Sequence, residues 1–256
     1  MGSIAIPAGY MGNLSQTQES NLRQFWSILL KSWDVDAVNG TSAEGTPTSP
    51  TSSKSSKGFR RFSLLGSSQP QAEDELPSLG ENLQSKLKEQ NATAEDIKSV
   101  QRVLAKLCGE ELRRAYLSLL KQDHPDALLL RFLRAESFNV VKAYIKFIKA
   151  LHWRVKEYNV DEVMSKGELH AVEQSKRLDP CPEKTDGEGF VVQLNTGKGD
   201  LHGCDRDGRP ISIVRVRFHS PNAQTEKSLN DYIVHSIETV RLLLAQPVEN
   251  IVSIRH

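Results

Sequence analysis

Apolar residues recur at helical spacing near the start of the chain. Between residues 15 and 33 they form one stripe that includes Leu22, Phe25 and Trp33, and Ser15 with Gln18 has the pattern of a capping box. This pattern predicts an amphipathic helix. The helix could dock on the rest of the protein or face a membrane interface or a partner. Its polar face carries few cations, which favours docking.

A second helical region covers residues 92–160. It contains four short apolar stripes, separated by the start and stop signals Thr93, Gly109, Pro125 and Asn139. We interpret Thr93 and Asn139 as N-caps and Gly109 as the end of a helix. Because helices this short are not stable alone, the pattern predicts a small bundle.

From residue 161 to residue 256 the spacing of the apolar residues changes. Residues 190–194 and 211–218 have the composition of strands, residues 225–244 have a helical stripe, and residues 250–254 form a short β-type run. A strand, a helix and a strand in this order make a βαβ unit with a parallel pair. The predicted fold class is therefore α/β or α+β: an amphipathic helix and a linker, then a helical bundle, then an α/β unit.

The sheet of the predicted α/β unit needs more helices to bury its two faces than residues 161–256 supply. A parallel sheet is buried on both faces, and the sequence given ends two residues after Ile254. We therefore expect this sequence to carry only the first part of an α/β domain.

Between the first helix and the bundle, within residues 1–91, the composition is that of a linker. Residues 40–58 are almost entirely Ser, Thr, Gly and Pro, which predicts disorder. The stretch that follows mixes Lys57, Arg60 and Arg61 with phenylalanines, and we predict that these cations contact a membrane surface. Ser63 after two arginines has the pattern of a phosphorylation site, whose phosphate would weaken that contact. The alternative is a solvated linker without this role.

Composition narrows the choice of function. The chain has 33 Lys and Arg against 32 Asp and Glu, a net charge of +1, which argues against a general nucleic-acid binder. No apolar run exceeds four residues, so we expect neither a transmembrane helix nor a secretory signal peptide. The three cysteines are far apart and fit a reducing compartment. We expect a cytoplasmic protein.

Catalytic and metal-binding motifs are weak. His202, Cys204, Asp205 and Asp207 are metal-ligating residue types, but a calcium loop would need an acid where Val216 stands. We interpret residues 205–210 as a turn. The glycine pairs lack the spacing of nucleotide-binding loops, and no serine lies in a nucleophile elbow. The sequence indicates no enzyme, no cofactor and no metal site.

Four stretches together resemble motifs of the CRAL-TRIO lipid-transfer family. They are LLLRFLRA at 128–135 followed by Phe138, Asn139 and Val140; Trp153 with Arg154; GCDRDGRP at 203–210 leading into 211–218; and Glu238, Arg241 and the sequence Pro247-Val248-Glu249. The order and separation of these stretches make the match specific over about residues 92–254. The aromatic helix before a Ser/Thr-rich linker is similar to that of fungal-type phosphatidylinositol transfer proteins in this family.

The resemblance implies a helical bundle joined to an α/β domain. In such a domain a mixed sheet forms the floor of a deep apolar pocket for one lipid, and a mobile helix closes the pocket. It implies non-catalytic binding and intermembrane transfer of phosphatidylinositol or a related phospholipid, with peripheral association to internal membranes. The alternating face of the predicted strand at 211–218 makes Val214, Val216 and Phe218 available to line such a pocket.

Family members continue past the position of Ile254. We therefore expect the headgroup-binding residues and the gate to lie beyond residue 256, and transfer to be compromised in the sequence given. The alternative hypothesis is a helical interaction module that regulates lipid metabolism without carrying lipid. The sequence leaves the oligomeric state open.

Overall fold

A computed structural model describes residues 6–34, 79–244 and 247–256. Its helices are α1 (Gln16–Trp33), α2 (Glu81–Glu89), α3 (Ala94–Leu104), α4 (Gly109–Leu120), α5 (Pro125–Ala135), α6 (Val140–His152), α7 (Val160–Ser175), α8 (Pro182–Asn195) and α9 (Glu226–Arg241). Its strands are β1 (Gly199–Cys204), β2 (Pro210–Val214) and β3 (Val252–Arg255). A π-helical turn, Trp153–Glu157, follows α6, and short 3₁₀ turns lie at Val216–Phe218 and Pro221–Ala223. The predicted linker at residues 40–58 lies outside the described residues.

The predicted helix at residues 15–33 is confirmed as α1, and it docks on the rest of the protein. Ser15 and Gln18 form the reciprocal capping box that their spacing predicted. The Phe25 ring is fully buried and meets the rings of Tyr144 and Phe147 edge to face, with centroids 6.2 and 5.8 Å apart. The stripe therefore belongs to the protein core, as the docked alternative requires.

Helices α1–α6 form one hydrophobic core, which we call the bundle. Thr93 and Asn139 cap α3 and α6 as predicted, and Pro125 occupies the first turn of α5. The prediction that Gly109 ends a helix is wrong, because Gly109 is the first residue of α4. A Cβ there would lie 2.1 Å from the Trp33 carbonyl oxygen, so the glycine is needed for the close approach of α1.

The predicted strand at residues 190–194 is also wrong, since these residues belong to α8. Two glycines let α8 pack against its neighbours: a Cβ at Gly187 would lie 2.7 Å from the Ala171 carbonyl oxygen, and one at Gly189 would lie 2.4 Å from the Ser228 hydroxyl. Phe190 then meets the Tyr232 ring of α9 at 6.1 Å. The glycines lower helix propensity, which hid the helix in the sequence pattern.

Strands β1, β2 and β3 form a mixed sheet in that order. β1 is antiparallel to β2, and β2 is parallel to β3, with Ile211 opposite Val252 and Ile213 opposite Ile254. The predicted βαβ unit is therefore confirmed as β2, α9 and β3. We call β1, β2, α9 and β3 the sheet unit.

The predicted strand at residues 211–218 is correct only as far as Val214. The amides of Phe218 and His219 donate back to the carbonyls of Arg215 and Val216, at 3.1 and 2.9 Å, and so turn the chain away from the sheet. Val216 and Phe218 therefore lie on a 3₁₀ turn.

Candidate functional site

Residues from three of the four stretches that carried the resemblance meet where the bundle contacts the sheet unit. There the side chains alternate in charge along an ion chain made of Arg154, Glu238, Arg241, Asp123, Arg131, Glu249 and Arg134. We call this set the ion chain. It joins α5 and the π-helical turn to α9 and to the segment that follows α9.

One end of the ion chain is the pair of Arg154 with Glu238. The two Nη atoms of Arg154 donate to the two carboxylate oxygens of Glu238, at 2.8 and 2.7 Å. The Arg154 side chain is 4% exposed, and Arg154 also donates to Asp161 at 3.3 Å. This two-point geometry fixes both side chains and is the strongest kind of ion pair.

Asp123 links the next two arginines. Arg131 donates to both oxygens of Asp123, at 2.8 and 2.6 Å, and Arg241 reaches the same carboxylate at 3.2 Å. Arg241 also donates to the Leu119 carbonyl at 2.6 Å. The end of α4, α5 and α9 are thereby held at fixed separations.

Glu249 connects the ion chain to Arg134, which contacts the residues before α1. It accepts from Arg131 at 3.4 Å and from Arg134. Arg134 also donates to the Gly9 carbonyl at 3.1 Å, and its guanidinium lies 3.8 Å from the centroid of the Tyr10 ring. Residues before α1 are thus tied to the joint between the two parts.

Ionisation of Glu238 is favoured in this setting. Burial alone would raise the pKa of Glu238, but the hydrogen bonds and charge of Arg154, with Arg241 and Lys121, outweigh it and hold the pKa below its usual value. Glu238 is therefore ionised at neutral pH, and its pair with Arg154 weakens when acid protonates it.

The sheet carries a row of apolar side chains on one face. In the parallel pair, opposite residues point to the same side, so Ile211 and Ile213 of β2 share a face with Val252 and Ile254 of β3. Three of these side chains are half-buried, and Ile254 is 46% exposed. We call the four residues the apolar row.

The apolar row ends beside charged groups. Asp200 of β1 lies opposite Ile213, and its carboxylate is 3.7 Å from Nη2 of Arg215. An apolar strip next to an ion pair is an amphipathic surface. Such a surface suits a lipid, which has an apolar acyl chain and a polar headgroup.

The residues predicted to line the pocket lie elsewhere. Val214 is on the opposite face of β2 from Ile213, and Val216 and Phe218 are exposed beyond the strand. Their lining role stays a prediction. The sequence analysis did not identify the apolar row, because the alternation in residues 211–218 is compatible with either set of side chains. Lys57, Arg60 and Arg61 lie outside the described residues.

Two concavities lie away from the sheet. A cleft of about 730 Å³ between α7, α8 and α9 is lined by polar and apolar surface in similar amounts, and its Asp231 accepts from Tyr158 at 2.9 Å and from Lys227 at 2.6 Å. An apolar groove of about 360 Å³ lies beside the ion chain, lined by Leu128, Phe132 and Trp153 among others. The groove is at the small end of ligand pockets.

The predicted turn at residues 205–210 is confirmed. The Asp205 carboxylate accepts from the amides of Asp207 and Arg209, at 2.9 and 2.8 Å, and Gly208 has a φ of +77°. In the part of the chain that the structure describes, no group of three or more His, Cys, Asp or Glu could hold a metal ion. None of the described helices is long and apolar enough to cross a bilayer.

Sequence comparison assigns family domains to both parts. Residues 81–149 match the CRAL/TRIO N-terminal domain, and residues 194–255 match the CRAL/TRIO domain. The first match includes α2–α5 and most of α6, and the second includes the whole sheet unit.

Of three similar proteins, one carries the family name and two are named as phospholipid transfer proteins. The phosphatidylinositol transfer protein CSR1 of Eremothecium gossypii is 30% identical over 97% of this chain and 57% of its own length. The CRAL-TRIO domain-containing protein C3H8.02 of Schizosaccharomyces pombe is 29% identical over 94% of this chain and 52% of its own length. The phosphatidylinositol/phosphatidylcholine transfer protein SFH12 of Arabidopsis thaliana is 28% identical over 48% of this chain and 18% of its own length.

The chain spans about half the length of the first two of these curated relatives. The two domain matches follow each other in the predicted order, and residues from three of the four motif stretches meet in the ion chain between the two parts. On these grounds the chain belongs to the CRAL-TRIO family.

Proposed function

We propose that this protein binds phosphatidylinositol or a related phospholipid and carries it between membranes without catalysing a reaction. The observation that supports this most directly is the apolar row, a strip of four aliphatic side chains left partly open on the mixed sheet. Removing an acyl chain from water gains about 0.8 kcal/mol per buried CH₂ group. An open apolar strip on a sheet is therefore suited to hold lipid.

The names of similar proteins support the ligand class. The relatives from Eremothecium gossypii and Arabidopsis thaliana are named as transfer proteins for phosphatidylinositol or phosphatidylcholine. A carrier of this kind meets membranes transiently. We therefore include peripheral contact with internal membranes and a cytoplasmic location in the proposal.

The rigid joint between the two parts fits a carrier. The ion chain connects side chains more than 100 residues apart, for example Arg131 with Glu249. It fixes the sheet unit against the bundle, so that the apolar row keeps its position while lipid enters or leaves.

The first test is equilibrium binding of phosphatidylinositol to the protein, followed by transfer of labelled lipid from donor to acceptor vesicles. Replacing Ile254 with Asp places a charge on the apolar row, and we expect it to reduce lipid binding strongly. The matched control is Leu178→Asp, since Leu178 is 98% exposed outside the sheet. Circular dichroism of both variants shows that the fold is retained.

Three outcomes decide the proposal. Binding that is lost in Ile254→Asp and kept in Leu178→Asp supports it. A folded protein that binds no phosphatidylinositol contradicts it and favours the interaction-module alternative. Mass spectrometry of the recovered lipid tests the non-catalytic part, because hydrolysed lipid would identify an enzyme.

A further inference from the structure

The 3₁₀ turn after β2 holds apolar side chains in water. Val216 is 56% exposed and Phe218 is 43% exposed. The turn is held in place by the end of β3, because the Val216 amide donates to the His256 carbonyl at 2.8 Å. It is also closed internally by the hydrogen bond from the Phe218 amide to the Arg215 carbonyl at 3.1 Å. These side chains are therefore presented by an ordered turn.

Two exposed arginines, Arg217 and Arg255, border the turn, while the carboxylate of Asp200 pairs with Arg215 at its start. The Arg217 guanidinium lies 4.9 Å from the centroid of the Phe218 ring, and its Nη1 is 3.0 Å from Nε2 of His256. Arg255 at the end of β3 is exposed. Residues 210–224 and 251–256 contain no Asp or Glu. Among the described residues, no carboxylate forms an ion pair with Arg217 or Arg255.

We propose that this turn docks the protein on membranes that contain anionic phospholipid. The turn surface consists of Val216, Arg217, Phe218 and Arg255. Val216 and Phe218 enter the boundary between headgroups and acyl chains, while Arg217 and Arg255 bind lipid phosphates. This proposal deepens the proposed function, because it names the surface that meets the membrane when lipid is exchanged.

The chemistry of the turn surface favours a lipid surface over a nucleic acid. Nucleic-acid sites combine many cations, whereas here exposed aliphatic and aromatic groups are as numerous as arginines, and the whole chain has a net charge of only +1. Interfacial binding strength rises with buried apolar area and with attraction to anionic lipid, and the turn surface supplies both.

The experiment is co-sedimentation of the full chain with two kinds of vesicle, phosphatidylcholine alone and phosphatidylcholine mixed with phosphatidylserine. We expect binding to the mixed vesicles that salt weakens. Arg217→Ala combined with Phe218→Ala should lower the partition coefficient by about tenfold, since a cation near an anionic surface and a buried ring each contribute. The matched control is Arg113→Ala with Leu117→Ala, an exposed arginine and an exposed leucine on α4.

A second measurement separates docking from lipid carriage. Binding of a soluble short-chain phosphatidylinositol needs no membrane, so the single variant Arg217→Ala, which changes no residue predicted to line the pocket, should bind it as the unmodified protein does. Loss of this binding would instead assign Arg217 to the lipid-binding site and overturn the docking proposal. Equal vesicle binding by both double variants, or none by the unmodified protein, would overturn it too. The proposed function would fail separately. In that case the unmodified protein would bind vesicles but would not bind short-chain phosphatidylinositol.

Discussion

The bundle and the sheet unit differ in how far their apolar side chains are buried. In the bundle the rings of Phe25, Tyr144 and Phe147 are completely buried against one another. In the sheet unit Ile237 of α9 is 56% exposed, and Ile254 of β3 is nearly half exposed. The large buried cluster of the bundle has members from all six of its helices, whereas among the described residues of the sheet unit only Tyr232 belongs to a buried cluster.

This difference assigns separate roles to the two parts. Burial of apolar area is the main source of stability, so most of it resides in the bundle. The sheet unit contributes a mixed sheet with an apolar row and is held to the bundle by the ion chain. Substitutions should therefore affect stability in the bundle and at the joint, and lipid contact in the sheet unit.

The largest difference in stability is expected between two substitutions to aspartate, one in the bundle and one in the sheet unit. Leu133 is completely buried in α5, so Leu133→Asp should destabilise the protein by about 4 kcal/mol or more, because the carboxylate has no partner there. Ile254→Asp should change the free energy of unfolding by less than about 1 kcal/mol. Urea unfolding followed by circular dichroism measures both. Similar losses for the two variants would show that the sheet unit is as closed as the bundle.

Substitutions in the ion chain, which connects the bundle to the sheet unit, should have the next largest effect on stability. Arg154→Met leaves the buried Glu238 without its two-point partner, and we expect a loss of about 3–5 kcal/mol. Arg114→Met breaks the exposed pair with Glu110 and should cost less than about 1 kcal/mol. If thermal unfolding gave the same midpoint for both variants, the ion chain would not hold the two parts together.

The smallest effect is a dependence on pH. The pKa of Glu238 is lower in the folded protein than in the unfolded chain, so its contribution to stability is present above the unfolded value of about 4.3. That contribution is lost as the pH falls through the folded pKa. The variant Glu238→Gln should therefore lose less stability than the unmodified protein as the pH falls below about 4. Parallel acid-unfolding curves for the two would contradict this assignment.

The parts that could be predicted from sequence are those in which local pattern and packing agree. The helix α1 followed from its apolar stripe and the Ser15 cap, and α9 from its apolar stripe. Helix α8 was missed because Gly187 and Gly189 serve close packing, which a one-dimensional pattern does not show. The end of β2 at Val214 was missed because an exposed turn can alternate apolar and charged residues as a strand does.

The candidate site was only partly accessible to sequence reasoning. The motif residues Arg131, Arg154, Glu238 and Glu249 were identified, but their pairing depends on contacts between positions 84 to 118 residues apart. The apolar row likewise depends on the register between β2 and β3, which only the folded sheet defines.

Hydrogen exchange with and without phosphatidylinositol tests the central claim most directly. The account predicts that lipid slows exchange of amides in β2 and β3, which carry the apolar row, and leaves α6 in the bundle core unchanged. Protection confined to the bundle, or no protection anywhere in a protein saturated with lipid, would contradict the assignment of the sheet as the lipid-binding surface.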